Sequence, residues 1–311
     1  MSSIVWTFGE PLVALVAEDR SHVEDGAVLK PYVAGAELNV AIGLRRLGID
    51  VVYGAAVGFD PFGALVKKAL RAEGLASTTV LEDKERYTGF LVKEWVGPTA
   101  EPTVHYQRTG SAASALPFGD WHQDIVVADW VHVSGITPML SDQNRQALMD
   151  IWPACRGVRS VDLNLRLKLG SVAEWRTCLE GLIPDASLIV GSSGEFRRLW
   201  SCDPEGVRDA LELRRNQVVI GTDGENGAWM DVGDGVHRAE AMPTVVVDPV
   251  GAGDGLVAGV IAARLWGWDW DRALRLGQIN GASAVATRGD YEGYLYREQA
   301  LAWVSGGWVN R

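Results

Sequence analysis

The residues best placed to do chemistry stand in one short run, Asp248-Pro249-Val250-Gly251-Ala252-Gly253-Asp254-Gly255. It follows the apolar stretch Val245–Val247 and precedes a longer one, Gly255–Trp266, so the pattern predicts a strand handing over to a helix. Without side chains, Gly251 and Gly253 can turn their backbone N–H groups toward a ligand, and a helix start adds partial positive charge. Such a place suits a phosphate, or the charge that builds up while one is transferred. Asp254 at the same spot could accept the proton of an attacking hydroxyl. Residue type alone leaves another reading open, because an aspartate ahead of an apolar helix is also a common N-cap. No G-x-x-x-x-G-K-[ST] occurs, and Leu256 stands where the third glycine of a dinucleotide fingerprint would be.

A second set of residues could hold an anion. If Thr103–Arg108 is a strand, its two-residue period puts Tyr106 and Arg108 on one face; Asn164 and Arg166 share a face if an extended run continues past Leu163. Two guanidinium groups and a phenol suit a sugar acid, since guanidinium binds carboxylate through parallel hydrogen bonds. The bland alternative is that both arginines are surface ion-pair partners. The formal charge of -11 sharpens the choice. A chain this acidic offers nothing basic enough for nucleic acid, and must hold any anion with locally placed cations.

Strands and helices alternate around these residues. Ile4–Phe8, Val51–Val57, Trp130–Val133, Ser160–Leu163, Leu188–Val190, Val218–Ile220 and Val245–Val247 read as strands. Gly35–Leu47, Pro61–Glu73, Asp142–Trp152, Val172–Leu182, Gly255–Trp266, Trp270–Leu276 and Ile279–Ala286 read as helices. This is the pattern of an α/β chain with a mostly parallel sheet covered by helices. It breaks at Tyr87–Val96 and Thr103–Arg108, which read as an antiparallel pair and a lid; Ala27–Val33 reads as a half-exposed strand. One domain over residues 1–311 is the economical reading, with lid strands from about 10–37 and 85–112 inserted in it.

The composition, 47% apolar and 22% charged, is that of a globular chain. Cys155, Cys178 and Cys202 form no close pair, and five histidines show no metal-ligand spacing; both point to a reduced interior and structural histidines. No basic stretch with a long apolar core opens the chain, and no run approaches the roughly 18 residues of a membrane helix, so a cytoplasmic protein without membrane contact is expected. Of the thirteen tryptophans, Trp266, Trp268 and Trp270 read as packing between helices, with Asp269 or Asp271 capping the next one.

Gly251-Ala252-Gly253-Asp254 resembles the G-A-G-D signature of ribokinase-like (PfkB) carbohydrate kinases. Ala34-Gly35-Ala36-Glu37-Leu38-Asn39 resembles the family's amino-terminal landmark, with Ala34 in place of its first glycine. Ser192-Ser193-Gly194-Glu195 is similar to the N-x-x-E element, with serine for asparagine, and Gly221-Thr222-Asp223-Gly224 with Gly227 to the nucleotide-side glycine loop. The resemblance implies a three-layer αβα sandwich with a small β lid, ATP and Mg2+ as cofactors, room for a monovalent cation, and a homo-oligomer through the lid. It implies Asp254 as base and the N–H groups framed by Gly251, Ala252 and Gly253 as anion hole. Glu195 would hold magnesium through water; Ser192, Thr222, Gly224, Gly227, Gly253 and Gln278 would line the ATP side. Gly35, Asn39, Tyr106, Arg108, Asn164, Arg166 and Asp254 would meet the sugar. Tyr106–Ala112, Ser134–Pro138, Asp162-Leu163-Asn164-Leu165-Arg166 and Arg288-Gly289-Asp290-Tyr291-Glu292-Gly293 look most like the 2-keto-3-deoxygluconate kinases within the family. Leu91 stands where some relatives carry a tyrosine, and Tyr87 is the residue available to supply the missing hydroxyl. Fructokinase or ribokinase activity, a sugar or nucleotide sensor on the same fold, and a nicotinamide-dependent dehydrogenase are the rival readings.

Overall fold

Alternate residues of the central strands feed opposite cores, as two-sided burial of a parallel sheet requires. In β1 (Ile4–Phe8), Val5 packs on one face, while Trp6 and Phe8 pack on the other. The computed structural model describes residues 3–17, 22–95 and 103–306. Its further strands are β2 (Leu12–Ala17), β3 (Leu29–Ala34), β4 (Asp50–Gly58), β5 (Val80–Asp83), β6 (Phe90–Glu94), β7 (Thr103–Gln107), β8 (Trp130–Ser134), β9 (Val158–Asp162), β10 (Leu188–Ser192), β11 (Val218–Thr222), β12 (Ala228–Asp231) and β13 (Val236–Ala239). The helices are α1 (Ala36–Arg46), α2 (Pro61–Ala72), α3 (Phe118–Val127), α4 (Ile136–Met139), α5 (Asp142–Ile151), α6 (Val172–Leu182), α7 (Ser193–Trp200), α8 (Val207–Ala210), α9 (Ala252–Leu265), α10 (Trp270–Val285) and α11 (Arg297–Val304).

Nine strands form one sheet in the order β13-β12-β11-β10-β9-β8-β1-β4-β5, parallel except for the β12 and β13 edge. One face buries Val5, Trp130, Leu188, Val190 and Ile220 against α1, α9 and α10. The other buries Trp6, Val131, Ile189 and Val219 with α3, α5 and α6. This is the sandwich expected from the sequence. A four-stranded sheet, β3-β2-β6-β7, stands apart as the lid. Its β6–β7 pair is the antiparallel hairpin read from Tyr87 to Arg108, in register Leu91 with Tyr106 and Lys93 with Val104. Residues 96–102 between them lie outside the described residues.

Two expectations fail for tertiary reasons. Val245–Val247 is not a strand: Val245 is 80% exposed, and the N–H groups of Val247 and Asp248 both turn to the Val285 carbonyl at the end of α10. Three valines in a row favour extended backbone, but β13 already closes that sheet edge. Trp270–Leu276 and Ile279–Ala286 are one helix, α10. Gly277, where the pattern broke, is there for close approach rather than for a turn. A Cβ on it would meet the Leu256 carbonyl at 2.8 Å, and one on Gly259 would meet the Gly277 Cα at 2.7 Å. Asp269 does cap α10, accepting from the Arg272 N–H. Cys155, Cys178 and Cys202 are free thiols, the first two buried.

The chain passes from sheet to lid at Glu10, which is 2% exposed. Arg108 Nε donates to its Oε2 at 2.6 Å, and Ser111 Oγ donates to Oε1 at 2.8 Å. Burial raises the Glu10 pKa, and the Arg108 charge opposes that shift. Removing the cation strands a carboxyl group in the interior. Arg108→Ala is therefore expected to lose roughly 3–5 kcal/mol of unfolding free energy in urea titrations. Stability within about 1 kcal/mol of wild type would mean the pair is idle.

Candidate active site

Asp254 is the third residue of α9, and Gly251, not Asp254, occupies the N-cap. Gly251 has φ 79°, and a Cβ there would lie 1.8 Å from the Asp290 carbonyl, so only glycine fits. Tyr294 fixes this turn by donating its hydroxyl to the Gly251 carbonyl at 2.7 Å. The first N–H groups of any α-helix lack partners one turn back. Here those of Ala252, Gly253 and Asp254 open into a cavity of about 450 Å³. The N-cap reading of Asp254 is thereby excluded, and its carboxylate is left for other work.

That carboxylate accepts from Asn39 Nδ2 at 2.8 Å, and the same amide donates to Asp290 Oδ2 at 3.2 Å. Asn39 Oδ1 is buried without a partner among the described residues. One amide thus holds two carboxyl groups side by side. Burial, with the Asp290 charge adding to it against the Asn39 hydrogen bond, pushes the Asp254 pKa up to about 8. Burial first, then Glu292 and Asp248, raise Asp290 to about 6. Asp162, at the end of β9, is held well above the ordinary range by burial and by the neighbouring Glu195 and Asp254 charges.

Across the cavity floor, Ser192 and Glu195 form the capping box of α7. Glu195 Oε2 accepts from Ser192 N at 2.7 Å, and Oε1 accepts from Leu165 N at 2.6 Å. The box fixes the carboxylate beside Thr222, which also lines the cavity. No cluster of three metal-ligating side chains exists among the described residues. Two carboxylates, Asp162 and Glu195, on one wall are nevertheless the donor set that suits Mg2+, which keeps its waters and completes its shell with phosphate oxygens. Gly224, Gly227 and Gln278 do not reach this cavity. Gln278 Nε2 donates to the Ala239 and Glu240 carbonyls at 3.3 and 2.8 Å, and Gly227 packs against the same segment. Gln278 and Gly227 thus shape the backbone that leaves β13, and Gly224 has no neighbour within 4 Å of a Cβ.

The other wall is the lid. Leu12, Ala14, Tyr32, Ala34, Leu91 and Tyr106 point into the cavity, an apolar face broken by a few polar tips. Gly35, Asn39, Arg108, Asn164 and Arg166 line it too. The route to Asn164 and Arg166 differs from the one expected. β9 ends at Asp162, and Asn164 has φ 44°, so a left-handed turn rather than a continued strand delivers them. Arg108, tied to Glu10, keeps only its remaining N–H donors for a ligand. Arg166 makes one hydrogen bond, to the Leu165 carbonyl, and no ion pair among the described residues. Tyr87 donates to the Thr109 carbonyl outside the cavity, so it supplies no substitute for a hydroxyl at Leu91. Asp162, Lys93 and Asp290 also line the site, and residue type and spacing did not single them out; Asp248, the first residue of the run that holds Asp254, lines it too. Asp162 and Asp290 lie within strings that resemble the family; Lys93 betrays itself only as a lysine on the inward period of an apolar strand.

A buried carboxyl with a pKa near 8, against about 3.9 in an unfolded chain, favours folding only while neutral. That stability is complete below about pH 4 and is lost as pH rises toward 8. Asp254→Asn escapes the loss. Its melting temperature should exceed that of wild type by a margin that widens between about pH 5 and pH 8 in calorimetry. A margin that stays flat over that range contradicts the placement.

Residues 5–295 match the profile of the pfkB family carbohydrate kinases. The chain is 30% identical, over 96% of its length and 94% of the relative's, to the 2-dehydro-3-deoxygluconokinase of Bacillus subtilis (strain 168). It is 30% identical to the fructokinase of Escherichia coli, over 93% of this chain and 95% of that one. Its structure superposes with a TM-score of 0.86, at 25% identity, on a protein assigned as ribokinase II from Escherichia coli and solved with ATP and Mg2+; 98% of this chain and 100% of that one are covered. A nine-stranded sheet with a separate lid, a helix opened by Gly251-Ala252-Gly253-Asp254 and a match over nearly the whole chain have one meaning: this protein belongs to the pfkB family of carbohydrate kinases.

Proposed function

We propose that the protein transfers the γ-phosphoryl group of ATP to the terminal hydroxyl of a sugar acid, 2-keto-3-deoxygluconate. The observation that carries this reading is Arg166. In a chain of net charge -11, an arginine with no ion pair among the described residues stands in the same cavity as Asp254, near enough for its charge to act on the Asp162 and Asp254 carboxyls. A carboxylate on the substrate would complete it. The apolar lid face suits a sugar lacking one hydroxyl, and the Bacillus subtilis relative phosphorylates a compound of this class by name.

The sugar would lie between the lid and Asn39, with Tyr106, Asn164 and Arg166 orienting it and Gly35 allowing close approach. Asp254 would take the hydroxyl proton as the oxygen attacks in line. The Ala252, Gly253 and Asp254 N–H groups would stabilise the charge spread over the moving phosphoryl oxygens. Thr222, Ser192 and Glu195 would border the triphosphate, with Gly224, Gly227 and Gln278 supporting that wall from behind. Magnesium, when bound, supplies charge neutralisation between phosphate groups. Lid closure would exclude water, the competing acceptor, and the open edges of β3 and β7 would let two copies pair.

A neutral ketose is the second reading, favoured by the 30% identity to the Escherichia coli fructokinase. A substrate panel with ATP separates the two. The sugar acid should be phosphorylated with the higher kcat/KM, and Arg166→Ala should raise its KM roughly 10- to 100-fold while leaving fructose nearly unchanged. A preference for fructose ends the sugar-acid reading but not the kinase one. Asp254→Ala should lower turnover at least about a hundredfold with little change in ATP affinity; retention of more than about a tenth of the rate removes Asp254 as base.

A further inference from the structure

Lys93 sits on the cavity face of β6, beside Val16 and Val104 on the neighbouring strands, and its side chain is only 6% exposed. An ammonium group buried among valines persists only if it is paired. Its partner lies across the cavity. Nζ donates to both oxygens of Asp248, at 2.8 and 2.7 Å. Asp248 in turn opens the bend that builds the anion hole: its Oδ1 accepts from Val250 N at 3.4 Å, and the following residue is the left-handed Gly251. Tyr294 holds that bend from the protein side through the Gly251 carbonyl, so Lys93 holds it from the lid side. This fastening lands on the turn that aims the α9 N–H groups.

We infer that the Lys93–Asp248 bridge couples lid closure to the assembly of the anion hole, which makes Lys93 a positioning residue for phosphoryl transfer. With the ammonium in place, the Pro249–Gly251 bend is fixed and the amides of Ala252 to Asp254 face the phosphoryl group. With the lid raised, the bend loses its restraint from the lid side, keeping those from Tyr294 and the Val285 carbonyl, and the hole loosens, which spares ATP from water. The inference rests on Asp254 as the seat of transfer and is independent of which sugar is used.

The test compares sugar phosphorylation with sugar-independent ATP hydrolysis in Lys93→Met, Lys93→Arg and Asp248→Asn, using the best sugar of the panel. Lys93→Met should lower kcat about 30-fold or more, leave the KM for ATP within about threefold, and leave sugar-independent ATP hydrolysis no faster than in wild type. Asp248→Asn should reproduce this split, and Lys93→Arg, which can still pair bidentately, should recover at least about a third of the rate. The inference is overturned if Lys93→Met stays within about threefold of the wild-type kcat, if Asp248→Asn does not share the loss, or if Lys93→Arg does not restore it. Should Lys93→Met fail to fold by circular dichroism, the other two variants decide the matter by the same criteria. A wild-type enzyme that phosphorylates no sugar sinks the Asp254 reading, and this one with it; an active enzyme indifferent to all three variants sinks this one alone.

Discussion

In the reaction proposed above, a carboxylate base and a migrating phosphoryl group must come within reach of each other although both carry negative charge. Coulomb repulsion at such distances is worth several kcal/mol in a cavity drier than water. The fold meets this constraint at the start of α9. Backbone amides with no partner one turn back supply positive partial charge without a mobile cation, and they cannot be titrated away. Asn39 answers the other half of the difficulty, because its amide hydrogens hold Asp254 and Asp290 together without neutralising either by proton transfer. The left-handed turn at Gly251, pressed against the Asp290 carbonyl, follows from the same demand: any Cβ would push the helix start away from its second carboxylate.

The cavity cations divide accordingly. Lys93 and Arg108 are each matched to an acid inside the protein, Asp248 and Glu10, so their charges shape the lid and its seating. Arg166 makes one hydrogen bond, to the Leu165 carbonyl, and no ion pair among the described residues, although its charge reaches Asp162 and Asp254; Arg288 lines the cavity as well. An acidic chain can therefore select an anion without an overall attractive field. In the proposed reaction Arg166 would make that selection, inside a wall of acids and apolar lid residues.

The sequence carried the central sandwich well because its signals were local and redundant. Leu188–Val190, Val218–Ile220 and the helix over Val172–Leu182 announce themselves by period and by caps. The Val245–Val247 and Gly277 errors share one cause. Valines extended without a sheet, and a glycine inside a helix, are both explained by contacts with α10 or α9 that no window of sequence contains. The site divides in the same way. Asp254, Asn39 and Glu195 stood in recognisable strings, whereas Lys93 meets Asp248 across 155 positions, and Gln278 turns away from the cavity toward Ala239. Type and spacing tell which residues can do chemistry; only packing tells which are already engaged.

The raised pKa of Asp254 belongs to the same economy. A carboxyl titrating near pH 8 is mostly protonated at neutral pH, and would then be no base for water. The hydrogen bond from Asn39 and the Arg166 guanidinium favour the ionised form. Desolvation makes that form the more basic once it exists. Burial thus does two things with one carboxyl group. In the proposed reaction it would withhold the base while the site is open to solvent, and strengthen it when a sugar hydroxyl has replaced the water.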